Sequence, residues 1–198
     1  METILFINAC ARPHSRTYQL AQHVLQGFPG RVLEINLYEE NIPPLDWPLL
    51  QQRENCVQQG DDSATVFRYA KQFAAADVIV FAAPYWDLLF PAVVRSYLEA
   101  VTVAGITFQY ENGMPAGLCA GRELIYVTTA GGVIGTRNFA LEYLTALAHT
   151  FYGIPKVRSF TAEGLDIDGA DIPAIMREAK NRVEAELHAE QCLQAATE

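Results

Sequence analysis

The apolar residues of the chain follow two alternating patterns, one with the period of a helix and one typical of buried strands. Ala21, Val24, Leu25 and Phe28 recur at intervals of three and four residues, which places them on one face of a helix. Short β-branched runs predict strands instead. Five strands are predicted, at Thr3–Asn8, Arg31–Leu37, Asp77–Ala83, Glu123–Thr129 and Lys156–Thr161. Helices are predicted from Ser15 to Phe28 and over Ala64–Ala76, Pro91–Val103, Asn138–Phe151 and residues 172–192.

The regular alternation of strand and helix indicates the fold class. Repeated strand–helix units are typical of a parallel sheet with helices on both faces. Five strands, rather than six or eight, favour a flavodoxin-like α/β three-layer sandwich with a five-stranded parallel sheet of order 2-1-3-4-5. Asp77–Ala83 is the most strongly apolar strand, so we expect it at the centre of the sheet. The alternating pattern of Arg31–Leu37 is expected nearer an edge.

Three segments lie outside the simple repeat. Residues 39–62 carry three prolines and no clear period, which predicts an irregular insertion with about one helical turn. Ile106–Tyr110 predicts a short extra strand that turns at Asn112 and Gly113. Residues 166–171 predict an acidic turn before the last helix. Because the chain shows no linker and no internal repeat, we expect one domain over residues 1–198.

Charge and composition narrow the range of partners. The 198 residues include 14 Lys and Arg against 23 Asp and Glu, a net charge of −9. This charge disfavours binding to duplex nucleic acid and to anionic membranes, because both attract basic patches. No long apolar run predicts a membrane-spanning helix, and the N-terminus METILFINA lacks the pattern of a signal peptide. Cys10, Cys56, Cys119 and Cys192 show no CxxC spacing, so we expect free thiols and a cytoplasmic protein.

Three loops should meet where the strand order reverses, at the carboxyl edge of the sheet. The loop after the first strand, ACARPHS, contains no glycine, which argues against a dinucleotide fingerprint. It does supply Arg12, His14, Ser15 and Thr17 at the start of a helix. These residues suit one phosphate group, although Ser15 alone would also serve as a helix cap. Cys10 is either a small residue that fills the loop or a reactive thiol.

The other two loops have unusual compositions of their own. Tyr85 and Trp86 follow the central strand and suit a flat ring system, or they pack against a neighbouring helix. Gly131 and Gly132 permit close approach of the backbone to a ligand, or they form a tight turn. The sequence contains no GxSxG elbow, no phosphate-binding GxxxxGK[ST] loop and no paired histidines with metal-ligand spacing, so we expect no metal site.

These segments resemble the FMN-dependent NADH-azoreductase and NAD(P)H:quinone oxidoreductase family, which has the flavodoxin-like fold. The resemblance is carried by DVIVFAAPYW, SYLEAVTVAGITFQYENG and GLCAGRELIYVTTAGG, in that order between Asp77 and Gly132. It also covers the first strand, the helix start at Ser15–Leu20 and GIPKVRSFTAEG, and it is weakest in residues 40–62. Such a resemblance implies bound FMN, NADH or NADPH as electron donor, and a homodimer with active sites at the interface.

The resemblance also implies a role for each loop. Cys10, Ser15, Arg16 and Thr17 occupy the positions that hold the FMN phosphate in the family. Tyr85, Trp86, Asp87 and Leu88 would lie along the flavin ring, and Thr129, Ala130, Gly131 and Gly132 at its pyrimidine edge. Tyr110 and Phe151 would line the substrate side. No side chain is assigned a catalytic role, because the flavin carries the chemistry.

The chain departs from the family pattern at four of these positions. Asp87 stands where azoreductases often have Asn, Cys10 replaces a common Ser, Ile134 lies where His is frequent, and Ala130 lacks a polar side chain. An ionised Asp87 would lower the reduction potential of a neighbouring flavin.

The resemblance implies an enzyme that transfers two electrons from NAD(P)H to quinones or azo compounds by a ping-pong mechanism. Two alternatives remain open at the level of sequence. One is a flavin-free binding or regulatory module of the same fold, suggested by the departures. The other is an electron carrier that docks through its acidic surface.

Overall fold

The computed structural model describes residues 1–61 and 63–195, and within them the side chains of residues up to 189. The prediction of a free thiol at Cys192 therefore concerns a side chain outside the described part. Five parallel strands form the main sheet: β1 (Glu2–Asn8), β2 (Gly30–Asn36), β3 (Val78–Ala82), β6 (Glu123–Thr129) and β7 (Lys156–Ala162). Their spatial order is β2-β1-β3-β6-β7. Counted over these five strands it is the predicted 2-1-3-4-5 order, with β3 central and β2 at an edge.

Six α-helices accompany the strands in the described residues. They are α1 (Arg16–Leu25), α2 (Trp47–Gln59), α3 (Arg68–Ala75), α4 (Ala92–Val101), α5 (Phe139–Leu147) and α6 (Ile172–Ala195). A 3-10 turn, Thr65–Phe67, precedes α3, and a π-helical turn, Ala148–Tyr152, extends α5. Helices lie on both sides of the sheet, which confirms the predicted fold class.

The three inner strands, β1, β3 and β6, contribute to two separate cores because their side chains alternate between the faces. On one face Ile79 and Phe81 of β3 join a cluster built on α3, α4 and α5. On the other face Val78 and Val80 join a cluster built on α1 and α6. All five residues of β3 are buried, which explains why this segment reads as a continuous apolar run.

The segment predicted to be irregular contains a regular helix, so that prediction was wrong. The helix α2 spans 13 residues and is capped at both ends. Asp46 accepts a hydrogen bond from the Leu49 N–H at 3.0 Å, and Gly60 adopts a left-handed φ of 65°. Of the described residues of α2, Arg53 alone is buried, and this shallow packing explains the missing apolar period.

The start of the following helix also differs from the prediction. Ser63 does not cap it, because its hydroxyl donates a hydrogen bond to Asp61 Oδ1 at 2.7 Å. The chain enters α3 through the 3-10 turn at Thr65–Phe67 instead, and the α-helix begins at Arg68.

A small hairpin stands outside the main sheet. The strands β4 (Phe108–Glu111) and β5 (Met114–Gly117) pair in antiparallel fashion. Asn112 and Gly113 turn the hairpin with φ values of 52° and 79°, as the sequence predicted. Among the described residues, no helix combines the length and apolar character needed to cross a membrane.

Candidate functional site

The three predicted loops meet at one cavity on the carboxyl edge of the sheet. This cavity, called the crevice from here on, has a volume of about 420 Å³, within the usual range of small-molecule sites. Eight of the residues predicted from the resemblance line it: Ser15, Arg16, Thr17, Tyr85, Trp86, Thr129, Ala130 and Gly131. Arg12 and His14 from the first loop also line it.

The start of α1 forms one wall of the crevice. The Ser15 hydroxyl oxygen accepts a hydrogen bond from the Tyr18 N–H at 3.3 Å, so Ser15 does cap the helix. The first N–H groups of a helix have no partner within the helix and attract anions. The first turn of α1 contains no acidic residue, while Arg12 and Arg16 add positive charge beside it. This wall therefore suits a phosphate group.

A buried hydrogen bond fixes this wall against the end of β6. The hydroxyl oxygens of Thr17 and Thr129 are 2.6 Å apart, and both residues are buried. The bond joins positions that are 112 residues apart in sequence. It holds the start of α1 and the loop after β6 in a fixed relation before any ligand arrives.

The loop after β3 presents an aromatic surface. The Tyr85 N–H donates to the Thr129 carbonyl at 3.0 Å, and the Tyr85 hydroxyl donates to the Arg137 carbonyl at 2.8 Å. Trp86 is 42% exposed although it lies in the crevice wall. An exposed indole in a cavity provides a flat face for stacking, so the alternative of a tryptophan packed on a helix is not favoured.

A tight turn follows Trp86. The Trp86 N–H donates to the Leu89 carbonyl and the Leu89 N–H donates to the Trp86 carbonyl, both at 2.8 Å. These two bonds enclose Asp87 and Leu88 in a two-residue turn. Both enclosed residues have a left-handed backbone, with φ of 51° and 71°. This conformation costs about 1–2 kcal/mol for a residue such as Leu. Neither residue is among the described residues that line the crevice.

A fourth loop, between β7 and α6, completes the crevice with Leu165 and Asp166. The Leu165 and Asp166 N–H groups donate to the carbonyls of Ala130 and Gly131 at 3.1 and 2.9 Å. A Cβ atom at Gly131 would lie 2.4 Å from Asp166 Oδ2, so a side chain there would displace the Asp166 carboxylate. Sequence reasoning assigned Asp166 to an acidic turn and missed this role, although the loop after the fifth strand also reaches the carboxyl edge.

Asp166 and Arg16 connect the loop between β7 and α6 with the start of α1. Arg16 Nη1 lies 3.3 Å from Asp166 Oδ1 and donates to the Leu165 carbonyl at 3.3 Å. Both side chains are substantially exposed, so this ion pair adds little to stability. Its effect is instead on position, because it holds the guanidinium at the cavity wall.

Cys10 lies outside the crevice. Its Sγ is 3.6 Å from the Ala82 carbonyl, and the residue lines a separate depression with Tyr18 and Glu34 beyond β1 and β2. Burial raises the pKa of the thiol to about 11, so the thiol remains protonated near neutral pH. The structure thus favours a loop-filling role over a reactive thiol.

The remaining predicted residues do not line the crevice in the described part of the chain. Gly132 accepts a hydrogen bond from the Gly164 N–H at 2.9 Å. Tyr110, 66% exposed, and Phe151 both make edge contacts with Phe108, at centroid distances of 5.5 and 5.0 Å. They form one aromatic cluster at the hairpin, but within the described chain neither side chain reaches the crevice wall.

Comparison with known proteins identifies the family. A family model described as the flavodoxin-like fold matches residues 2–187. An FMN-dependent NADH:quinone oxidoreductase from Lachnoclostridium phytofermentans is 31% identical over 191 residues, which cover 92% of this chain and 96% of the relative. The chain belongs to the FMN-dependent NADH:quinone oxidoreductase family. The resemblance stated from the sequence is confirmed.

Solved structures show the fold of the family independently. An azoreductase from Bacillus anthracis str. Sterne has a TM-score of 0.80 and 24% identity, covering 94% of this chain and 99% of its own. An FMN-dependent NADH-azoreductase from Bacillus anthracis str. Ames Ancestor, solved in complex with FMN, has a TM-score of 0.78 and 21% identity. It covers 96% of this chain and 99% of its own.

The residues of the crevice fit FMN on their own chemistry. The start of α1 and Arg16 offer N–H donors and positive charge to a phosphate. Trp86 offers a flat face to a ring. Gly131 lines the crevice with its backbone, and Asp166 Oδ2 lies where a Gly131 side chain would stand. Asp166 adds one carboxylate near the phosphate wall, but Arg16 already partners it.

Proposed function

We propose that this chain is an FMN-dependent oxidoreductase that transfers two electrons from NADH to quinones or azo compounds. One observation carries the proposal: a single crevice is lined by the N-terminus of α1, the exposed indole of Trp86 and the backbone of Gly131. Relatives named for FMN, NADH and quinone support it and favour it over a flavin-free module or an electron carrier.

The chain's own residues would bind and orient the cofactor. Ser15, Arg16 and Thr17 would hold the phosphate through backbone N–H groups and the guanidinium. Trp86 would support one end of the ring, and the backbone from Thr129 to Gly132 would bind its polar edge. FMN would accept a hydride and return two electrons to a second substrate. Because both substrates need the same open face, they would bind in turn, which gives ping-pong kinetics.

Backbone contacts in this arrangement tolerate the departures from the family pattern. A main-chain N–H at Asp87 is the same donor whatever the side chain, whereas the Ala130 N–H already donates to the Ala162 carbonyl at 3.0 Å. Leu88 would contribute through the turn that it closes with Asp87. Cys10 would act indirectly, by filling the loop before α1, since its side chain lies in another depression and its N–H donates to Asn8 Oδ1 at 3.0 Å.

The oligomeric state and compartment form part of the same proposal. Tyr110, Met114 and Val133 are large apolar residues that are exposed in the described chain. A homodimer that covers them would bring Tyr110 and Phe151 of the aromatic cluster to a shared substrate side. We expect a single-domain, cytoplasmic homodimer, and sedimentation analysis of the FMN-loaded protein should give twice the chain mass of 21.9 kDa.

Titration of flavin-free protein with FMN tests the proposal directly. The chain contains two tryptophans, Trp47 and Trp86, so the Trp47→Phe variant reports from the crevice alone. We expect saturable one-to-one quenching of Trp86 emission together with quenching of flavin fluorescence. The matched Trp86→Phe variant should retain flavin quenching and show a much smaller change in Trp47 emission. Absence of saturable FMN binding to the folded protein would refute the proposal.

A further inference from the structure

The depression that contains Cys10 lies next to the crevice on the carboxyl edge of the sheet. It has a volume of about 530 Å³, within the usual range of small-molecule sites. Ala11 and Arg12 line both cavities, so the loop before α1 forms a wall that the two share. The depression lies at β1 and β2, whereas the crevice reaches Thr129 at the end of β6. A ligand longer than the crevice therefore meets this second cavity directly beyond the shared wall.

Arg12 is the cation of the shared wall. No described residue forms an ion pair or a hydrogen bond with its guanidinium, whereas the guanidinium of Arg16 is paired with Asp166. The Arg12 carbonyl accepts the Ser15 N–H at 3.1 Å, which fixes the backbone of this loop against the start of α1. A guanidinium stays charged at any ordinary pH and binds phosphate through two parallel N–H groups. Arg12 therefore suits a phosphate group at the boundary between the two cavities.

The depression itself combines aromatic side chains with hydrogen-bond acceptors. Tyr18 and Tyr38 line it, and so do the carboxylates of Glu34 and Glu39. Glu34 Oε1 accepts a hydrogen bond from Asn8 Nδ2 at 2.9 Å, which orients this exposed carboxylate on β2. An ionised carboxylate has about four acceptor positions, so Glu34 can accept further hydroxyl groups. These walls suit a sugar joined to an aromatic base, and their two carboxylates disfavour an additional phosphate.

We propose that the depression binds the adenosine end of NADH, with Arg12 at the pyrophosphate and Glu34 at the ribose. This inference rests on the proposed function, in which the nicotinamide reacts with the flavin in the crevice. The pyrophosphate of NADH lies between its two nucleosides, so it meets the shared wall where Arg12 stands. An acidic side chain binds the ribose 2′-hydroxyl in many doubly wound NAD sites, and Glu34 offers the same group here. Glu34 and Glu39 repel the 2′-phosphate that distinguishes NADPH.

Calorimetric titration with ADP-ribose tests the site in protein saturated with FMN. ADP-ribose carries the adenosine and pyrophosphate of NADH without the nicotinamide, and bound FMN blocks the phosphate wall of the crevice. We expect one saturable site, which Arg12→Ala weakens about tenfold through the loss of a charge-assisted contact. Arg31→Ala is the matched control, because Arg31 is an exposed arginine that lines neither cavity, and it should change the affinity less than about twofold.

A second variant tests discrimination against the 2′-phosphate. We expect ADP-ribose 2′-phosphate to bind about tenfold more weakly than ADP-ribose, and Glu34→Gln should remove most of that difference. Arg12 and Glu34 are both exposed, so these variants should fold as the wild type does. Equal affinity of the wild type for the two ligands would refute the role of Glu34.

The outcomes also separate this inference from the proposed function. FMN binding without ADP-ribose binding would refute the adenosine site and leave the proposed function intact. ADP-ribose binding that Arg12→Ala does not weaken would refute the site in the same way. Failure of the folded protein to bind FMN would overturn the proposed function, and this inference with it.

Discussion

At the scale of single residues, two adjacent glycines of the loop after β6 differ in the space around them. At Gly131, the Asp166 carboxylate occupies the position that a side chain would take. Its neighbour Gly132 has open space at the same place, with nothing within 4 Å of an added Cβ. The sequence motif shows two equivalent glycines, and it cannot distinguish them because the difference lies in a loop that arrives from 35 residues further along the chain.

These two glycines provide a matched pair of variants. Gly131→Ala should displace Asp166 and its partner Arg16, and we expect it to weaken FMN binding about tenfold, equivalent to about 1.4 kcal/mol. Gly132→Ala should change the dissociation constant less than about twofold, because it meets no neighbouring atom. Flavin fluorescence titration measures both. Equal losses in the two variants would contradict the assignment of the close approach to Gly131.

At the scale of elements, the sequence predicted correctly the strands and helices whose apolar pattern reflects how deeply they are buried. The strand β3 is buried on both faces and reads as an unbroken apolar run, so its central position followed from the sequence. The helix α2 buries one residue and lacks an apolar period, although Asp46, Pro48 and Gly60 are capping signals in the sequence. The fourth crevice loop is held by hydrogen bonds to the loop after β6. Contacts between segments so far apart in the sequence leave no trace in the local apolar pattern.

The two-residue turn at Asp87 and Leu88 is an element with a measurable cost. Glycine adopts a left-handed backbone without the steric penalty that Leu88 meets. We expect Leu88→Gly to raise the free energy of unfolding by about 1 kcal/mol in urea denaturation. Leu118→Gly is the control, because Leu118 is similarly exposed but has no positive φ, and it should lower that free energy instead. A loss of stability in both variants would argue against strain at this turn.

At the scale of the whole molecule, burial of ionisable groups links stability to alkaline pH. Burial raises the pKa of Cys10 to about 11 and that of Cys119 to about 12, from an ordinary value of 9.0. Burial also raises the pKa values of Tyr97, Tyr126 and Tyr152. In every case the folded protein keeps the proton more tightly than the unfolded chain does.

The sign of the pH effect follows from this difference. Below about pH 9 each thiol is protonated in both the folded and the unfolded protein, so the burial of that thiol contributes its full share to stability. Between about pH 9 and 11 the Cys10 thiol ionises first in the unfolded chain, which lowers the free energy of unfolding as the pH rises. We expect Cys10→Ala to reduce that slope in urea denaturation measured from pH 8 to 11. An unchanged slope would contradict the burial of this thiol.

The order of strands in the sheet has a consequence for synthesis of the protein. β1 pairs with β2 on one side and with β3 on the other, yet β3 begins 42 residues after β2 ends. A growing chain that has produced β1, α1 and β2 therefore exposes one unpaired edge of an apolar strand until Val78–Ala82 has emerged. During that interval the chain lacks its central strand and is exposed to wrong pairing with other chains. The length of the segment that contains α2 therefore sets how long the nascent chain can mispair during synthesis.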